Sequence, residues 1–185
     1  MRNLLITAVA AIALVLGALA VAAEDRRGPN HFKVELVGLQ EVPSVSTTGH
    51  ADLELAIDDE MQTIEFKLTY DDLEGVGTTP FVANGVVLFS HIHLGNRGVN
   101  GGVSAFFCGG GGKPPCPTPS GTVEGTITPA DIIGPATQGI NPGEPTAFQE
   151  LVRAMRAGST YANLHTTRWS GGEIRGQIND RDGNR

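Results

Sequence analysis

The sequence has few basic residues, and no segment of it concentrates them. Its 13 Lys and Arg residues are outnumbered by 20 Asp and Glu residues, which gives a formal net charge of −7. A protein that binds nucleic acid or an anionic membrane surface through its charge needs a basic patch or stripe. The composition therefore excludes neither enzymes nor binding modules, but it argues against nucleic acid and membrane surfaces as partners.

Long apolar runs are missing after residue 23. Before it, Arg2 precedes an uncharged apolar segment, residues 4–21, and small residues at 20–23 suit signal peptidase. We predict a signal peptide at 1–23, a polar leader at 24–30, a folded domain at 31–179 and a polar tail at 180–185. The alternative is an uncleaved anchor, because about 18–20 apolar residues can just span a bilayer. Cleavage would leave a secreted or periplasmic protein without a membrane segment.

Cysteine is scarce, with Cys108 and Cys116 as the only two residues of this type. An exported protein meets an oxidising compartment, in which two cysteines this close in sequence tend to pair. The segment between them, residues 109–115, consists mostly of Gly and Pro. We predict one disulfide that closes this loop. A pair of metal-binding thiols is the alternative, and no further Cys supports it.

Alternation of strands with long helices is also missing, and no internal repeat is visible. Short runs with alternating apolar and polar residues dominate instead, most clearly at 53–57 and 64–70. Two short helical segments interrupt them: one starts at Thr128-Pro129, and one begins after Thr146 as a possible cap and ends at Gly158. We predict an all-β fold, a Greek-key or immunoglobulin-like β-sandwich of about eight strands with one or two short helices.

Three of the five histidines lie in strand-like segments where they could meet. His91 and His93 follow the apolar run 86–89, and side chains two residues apart in a strand share one face. His165 lies in a second strand-like run, residues 161–166. Three imidazoles suit copper or zinc and leave one coordination position open. The alternative is a structural role, with hydrogen bonds to carbonyls. His31 and His50, at expected strand starts, are interpreted as surface residues.

Three charged residues could support such a site. Glu41 lies in an irregular segment after the first strand, and Glu173 and Arg175 share one face of the last strand. A carboxylate could orient an imidazole, and Arg175 could bind a ligand carboxylate through two hydrogen bonds. The alternative is a structural Glu–Arg ion pair. The catalytic roles remain unassigned, because no serine nucleophile motif occurs and segment 109–113 lacks the context of a phosphate loop.

Several short motifs occur in one order along the chain: LVGLQEVP at 36–43, HIHLG at 91–95, YANLHT at 161–166 and GGEIRGQ at 171–177. Together they resemble the CHRD (chordin-type) domain family, over about residues 32–178. Ser44 and Ser90 depart from the residues usual at those positions, and loop 109–115 looks longer than is typical. The resemblance implies an extracellular β-sandwich, and it implies no defined activity for single-domain microbial members.

The sequence therefore favours an exported binding or structural module that carries a candidate three-histidine metal site for copper or zinc. Its expected partner is a metal ion or an unidentified extracellular protein. The alternative function is a copper/zinc redox protein of the superoxide-dismutase type, a copper-dependent oxidoreductase. That alternative rests on the His-x-His pattern in a β-sandwich, although no zinc-binding loop rich in His and Asp follows His93.

Overall fold

The computed structural model describes residues 28–75 and 86–179. The predicted signal peptide at 1–23, most of the leader and the predicted tail lie outside the described residues. Within these ranges, no helix has the length and apolar character that crossing a membrane requires.

The described residues form eight strands and one α-helix. The strands are β1 (His31–Val37), β2 (His50–Asp58), β3 (Thr63–Asp71), β4 (Val87–Leu94), β5 (Gly102–Cys108), β6 (Gly121–Ile127), β7 (Thr160–Thr166) and β8 (Ile174–Ile178). The helix is α1 (Ala147–Arg156), and short 3-10 segments occupy Gly38–Gln40, Pro129–Asp131 and Ala136–Gln138. The prediction of an all-β fold is confirmed.

All strand pairs are antiparallel, and the strand order is β5-β4-β7-β8-β1-β2-β3-β6. The two halves of this sheet join through one ladder pair, Val37 with Arg175. The edge strands β5 and β6 approach each other, so the sheet curves almost into a barrel. Two separate sheets in a Greek-key sandwich are not confirmed, because β1 pairs with both β2 and β8 and makes the sheet continuous.

The alternation in the sequence explains which face each strand buries. In β1, Phe32, Val34 and Leu36 are buried, and the residues between them are exposed. β2 and β3 follow the same rule over nine residues each and pair along their full length. Their apolar faces line the interior of the curved sheet, where they meet the inner faces of β4, β7 and β8.

Helix α1 covers one end of this core with the apolar stripe that the sequence predicts. Phe148, Leu151, Val152 and Met155 are all buried. Thr146 occupies the N-cap position, but its side chain makes no capping hydrogen bond. Its backbone is already in the right-handed helical region rather than the extended region that a capping hydroxyl needs. Gly158 follows the helix with a φ of 68°, as the sequence predicts for a helix end.

Candidate metal site

The three histidines lie together on the outer face of β4 and β7. Register places Phe89 opposite His165, His91 opposite Asn163 and His93 opposite Tyr161. Side chains directly opposite each other in an antiparallel pair share one face. Residues 89, 91 and 93 of β4 and residues 161, 163 and 165 of β7 therefore build one cluster, while Ile92 and Leu164 face the apolar core.

The cluster is buried although it lies on the outer face. His91, His93 and His165 are exposed by only 3%, 9% and 7%. Each ring offers one nitrogen, either Nδ1 or Nε2, and these three nitrogens all lie within 4.8 Å of one another. The His91 ring centroid is 4.4 Å from that of His93 and 4.9 Å from that of His165. The fold thus brings together the three histidines that the sequence singled out.

Two of the rings are held in one tautomer by the backbone. The Nδ1–H of His93 donates to the carbonyl of Gly101 at 2.8 Å, and the Nδ1–H of His165 donates to the carbonyl of Ser170 at 2.9 Å. A carbonyl oxygen only accepts hydrogen bonds, so each Nδ1 must carry the proton. In a neutral ring, Nε2 then carries a free lone pair, which is the atom that binds a metal.

The environment keeps these rings neutral. Burial lowers the pKa of His91 to about 2, with further lowering by His93 and His165. Burial likewise lowers the pKa of His93 to about 4, against the opposing effect of its hydrogen bonds. The pKa of His165 is lowered from its ordinary value by the same desolvation. The three rings are therefore uncharged at neutral pH, and each has one unprotonated nitrogen with a lone pair.

Asn163 lies where the two lone pairs meet. Its Oδ1 is 3.1 Å from Nε2 of His93 and 3.0 Å from Nε2 of His165. An amide oxygen is an acceptor, so it cannot satisfy either lone pair. Either the amide turns its NH₂ group toward both nitrogens, or a cation lies among the three acceptor atoms, which are the two Nε2 atoms and Oδ1 of Asn163. Sequence reasoning missed Asn163, although it precedes His165 by two residues and therefore shares its face.

His91 differs from the other two histidines because its Nδ1 is buried and has no hydrogen-bond partner in the described part of the chain. A buried nitrogen without a partner is destabilising by about 1–3 kcal/mol. His91 is enclosed by rings: Phe89 stacks on it at 5.3 Å, and Phe106 packs edge-on at 4.9 Å. A metal ion bound to this nitrogen would remove that cost.

Aromatic side chains form the wall of the cluster. Phe89 lies 4.5 Å from the ring of His165, and Tyr161 stacks on His93 at 4.5 Å with an interplanar angle of 7°. Phe106 is in turn covered by the loop that the two cysteines close, because a Cβ on Gly110 or Gly111 would collide with its ring. The periodicity of β4 could have identified Phe89, but the roles of Phe106 and Tyr161 depend on tertiary packing.

Cys108 and Cys116 form a disulfide, as the sequence predicts, with a Cα–Cα distance of 5.1 Å. Both cysteines are therefore unavailable as metal-binding thiols. Cys108 is buried at the end of β5. The bond holds residues 109–115 against Phe106 and so supports one wall of the histidine cluster.

Glu41 is linked to the histidine cluster through Asn163. It is buried, and its Oε1 accepts a hydrogen bond from Asn163 Nδ2 at 3.4 Å. Desolvation raises the pKa of Glu41, while Asn163 and the charge of Arg175 act in the opposite direction. Gly172 contacts the carboxylate so closely that a Cβ there would collide with it, and its φ of 125° favours glycine.

Glu173 is placed away from the histidines. Its Oε1 accepts hydrogen bonds from the Thr47 hydroxyl at 2.7 Å and from the Glu74 backbone N–H at 2.8 Å. Its Oε2 accepts from the Thr166 hydroxyl at 2.7 Å. These bonds tie the segment before β2 to the start of β8. Glu173 therefore stabilises the strands and loops beside the cluster.

Arg175 holds a loop at the rim of the cluster. Its guanidinium donates to Asn100 Oδ1 at 3.1 Å and to the carbonyls of Asn96 and Val99 at 3.2 and 2.8 Å. It also lies 3.4 Å from the centre of the Tyr161 ring. The expected bond between Arg175 and a ligand carboxylate stays a prediction, and its described partners are these loop groups.

The other two described histidines lie outside the cluster. His31 is exposed at the start of β1. His50 is exposed and pairs with Asp71, its Nε2 being 2.7 Å from Oδ1. His50, Asp71 and Asp72 also lie close enough to share a cation, but all three are exposed. Exposed acidic groups often lie this close without binding an ion.

The chain matches a known domain family. The sequence profile of the CHRD domain matches residues 32–178, which is most of the chain. The chain belongs to the CHRD domain family, and the resemblance seen in its motifs is confirmed. No curated protein and no solved structure matches it.

Proposed function

We propose that this chain is an exported metal-binding module, in which His91, His93 and His165 hold one transition-metal ion. The observation that carries the proposal is that the Nε2 lone pairs of His93 and His165 both face Asn163 Oδ1, an acceptor that satisfies neither of them. Backbone carbonyls fix both rings in the tautomer that presents Nε2. This arrangement, in which the second ring nitrogen donates to a carbonyl, is typical of histidines that bind metals.

The ligand atoms need only a small rearrangement to bind. Metal–nitrogen distances of about 2.0–2.1 Å in a tetrahedral site separate the nitrogens by about 3.4 Å. The three nitrogens already lie within 4.8 Å of one another. Side-chain rotations that move each nitrogen by about 1 Å are therefore sufficient. A structural role for the histidines alone leaves Nδ1 of His91 without a partner. It satisfies the two Nε2 lone pairs only if the amide of Asn163 turns its NH₂ group toward them.

Export is part of the proposal. A disulfide closes the loop between β5 and β6, and disulfides persist in oxidising compartments. The apolar segment that starts the sequence has the features of a secretory signal. We therefore place the module in the periplasm or outside the cell. Copper or zinc remains the expected metal class, and no observation in the described residues favours the dismutase alternative.

Metal content of protein recovered from its export compartment tests the proposal. We expect about one equivalent of metal in the wild type and a loss of most of it in His91→Ala and His165→Ala. His31→Ala is the matched control, because it removes an exposed histidine outside the cluster. Thermal unfolding of each variant establishes that it is folded.

Equal metal content in the wild type and in both folded cluster variants would contradict the proposal. N-terminal sequencing of the recovered protein tests export separately. A mature chain that begins near residue 24 is expected, and a chain retained inside the cell with its first residues intact would contradict export.

A further inference from the structure

We infer that the histidine cluster selects a monovalent ion, Cu(I), over the divalent ions Cu(II) and Zn(II). This inference rests on the proposed function and names the ion that the same three residues bind. It follows from the charge and polarity of what surrounds the cluster. Ligand type alone does not decide the question, since imidazole binds several transition metals.

The ligands bring no negative charge. Within the described residues, the group of potential ligand atoms consists of three imidazoles without a carboxylate or thiolate. A bound ion would therefore keep its full charge. Glu41 stands one residue further out, behind Asn163, and its buried position disfavours its ionised form.

The positive charge of Arg175 also acts on an ion bound at the site. Its guanidinium lies over one face of Tyr161, and the same ring stacks on His93. A positive charge at this position disfavours a cation bound at His93, and a dication twice as strongly as a monocation.

The aromatic wall strengthens this discrimination. Phe89 and Phe106 contact His91, and Phe89 also contacts His165. Such a shell excludes water and keeps the local dielectric constant low. The energy of moving an ion into a medium of this kind grows with the square of its charge, so it is fourfold larger for a dication. Copper is the imidazole-binding metal with a stable monovalent state.

Competition titrations test the inference on the purified, disulfide-bonded protein. Cu(I) is measured anaerobically against bicinchoninate, and Cu(II) and Zn(II) are measured against chromophoric chelators for divalent ions. We expect Cu(I) to bind at least about 100-fold more tightly than either dication. For copper, a hundredfold preference raises the Cu(II)/Cu(I) potential by about 118 mV, at 59 mV for each factor of ten.

The isosteric variant Asn163→Asp supplies the missing negative charge. It places a carboxylate where the amide oxygen now lies, 3.0 and 3.1 Å from two ligand nitrogens. We expect the preference for Cu(I) over Zn(II) to fall by on the order of 100-fold in this variant. Wild-type affinities and the wild-type potential test the inference even if the variant does not fold.

The outcomes separate the two proposals. Dications that bind the wild type as tightly as Cu(I), with affinity lost in His165→Ala, would overturn the preference for Cu(I) and support the metal site. Failure of all three ions to bind would overturn both. An unchanged ratio in folded Asn163→Asp would also contradict the charge argument.

Discussion

Acidification should destabilise the metal-free protein because the buried histidines resist protonation. An unfolded histidine has an ordinary pKa near 6.5, whereas burial lowers the pKa of His91 to about 2 and that of His93 to about 4. Between these values, the unfolded chain binds protons that the folded protein does not. The stabilisation is therefore complete above pH 6.5 and is lost as the pH falls toward the folded-state values.

The size of the effect follows from the same pKa values. At pH 5, a histidine that is protonated in the unfolded chain and neutral in the folded protein lowers the free energy of unfolding by about 2 kcal/mol. His91 and His93 together lower it by about 4 kcal/mol, and His165 acts in the same direction. This is a large part of the 5–15 kcal/mol that holds a typical domain folded. Glu41 acts in the opposite direction, because burial raises its pKa.

Urea unfolding of chelator-treated protein at pH 7 and pH 5 measures this loss. With a slope of about 2 kcal/mol per molar urea, the midpoint should fall by about 2 M. His91→Leu removes one of the buried histidines and should reduce the difference between the two pH values by about 2 kcal/mol. His31→Gln, at the exposed start of β1, should keep the wild-type difference.

Equal stability at pH 7 and pH 5 would contradict the expected destabilisation by the buried histidines. So would a His91→Leu variant with the full wild-type difference, because the loss could then not come from the cluster. The comparison between variants cancels contributions from the carboxylates, which both proteins share.

Three other predictions concern the metal and the walls of the site. A bound metal at 100 times its dissociation constant should raise the free energy of unfolding by about 2.7 kcal/mol, measured by calorimetry; an unchanged melting temperature would contradict the metal site. Replacing Cys108 and Cys116 by Ser should lower stability to urea by about 2–3 kcal/mol and weaken metal binding, whereas unchanged values would show that the loop is dispensable. Gly172→Ala should displace Glu41 and Asn163 and reduce metal affinity in equilibrium titrations, whereas wild-type affinity would contradict their close packing.

Local patterns explain how much of the fold could be predicted. The period of two in β1, β2 and β3 reports directly which side chains face the core, and the structure buries those residues. The apolar spacing of α1 works in the same way. The joining of the two halves of the sheet could not be predicted, because it depends on the single long-range pair of Val37 with Arg175.

In the candidate site, too, local patterns could be predicted and long-range contacts could not. Strand phase identified His91 and His93 as neighbours, and strand phase together with the family motif pointed to His165. The role of Asn163 follows from the register between β4 and β7, which is a long-range property. Glu173 has the polarity expected of a residue that supports the histidines, but the turn before β8 directs it to Thr47 and Thr166. Sequence phase alone does not describe a residue beyond the end of its strand.

The most direct test of the metal site is long-range ¹H–¹⁵N NMR of the histidine rings, recorded on metal-free protein and after one equivalent of Cu(I) or, separately, Zn(II). We expect Nδ1–H tautomers for His93 and His165 in the metal-free protein. We also expect large shifts of their Nε2 resonances, and of one His91 nitrogen, with at least one of the two ions. Nε2–H tautomers in the metal-free protein, or ring resonances that neither ion changes, would contradict the metal site.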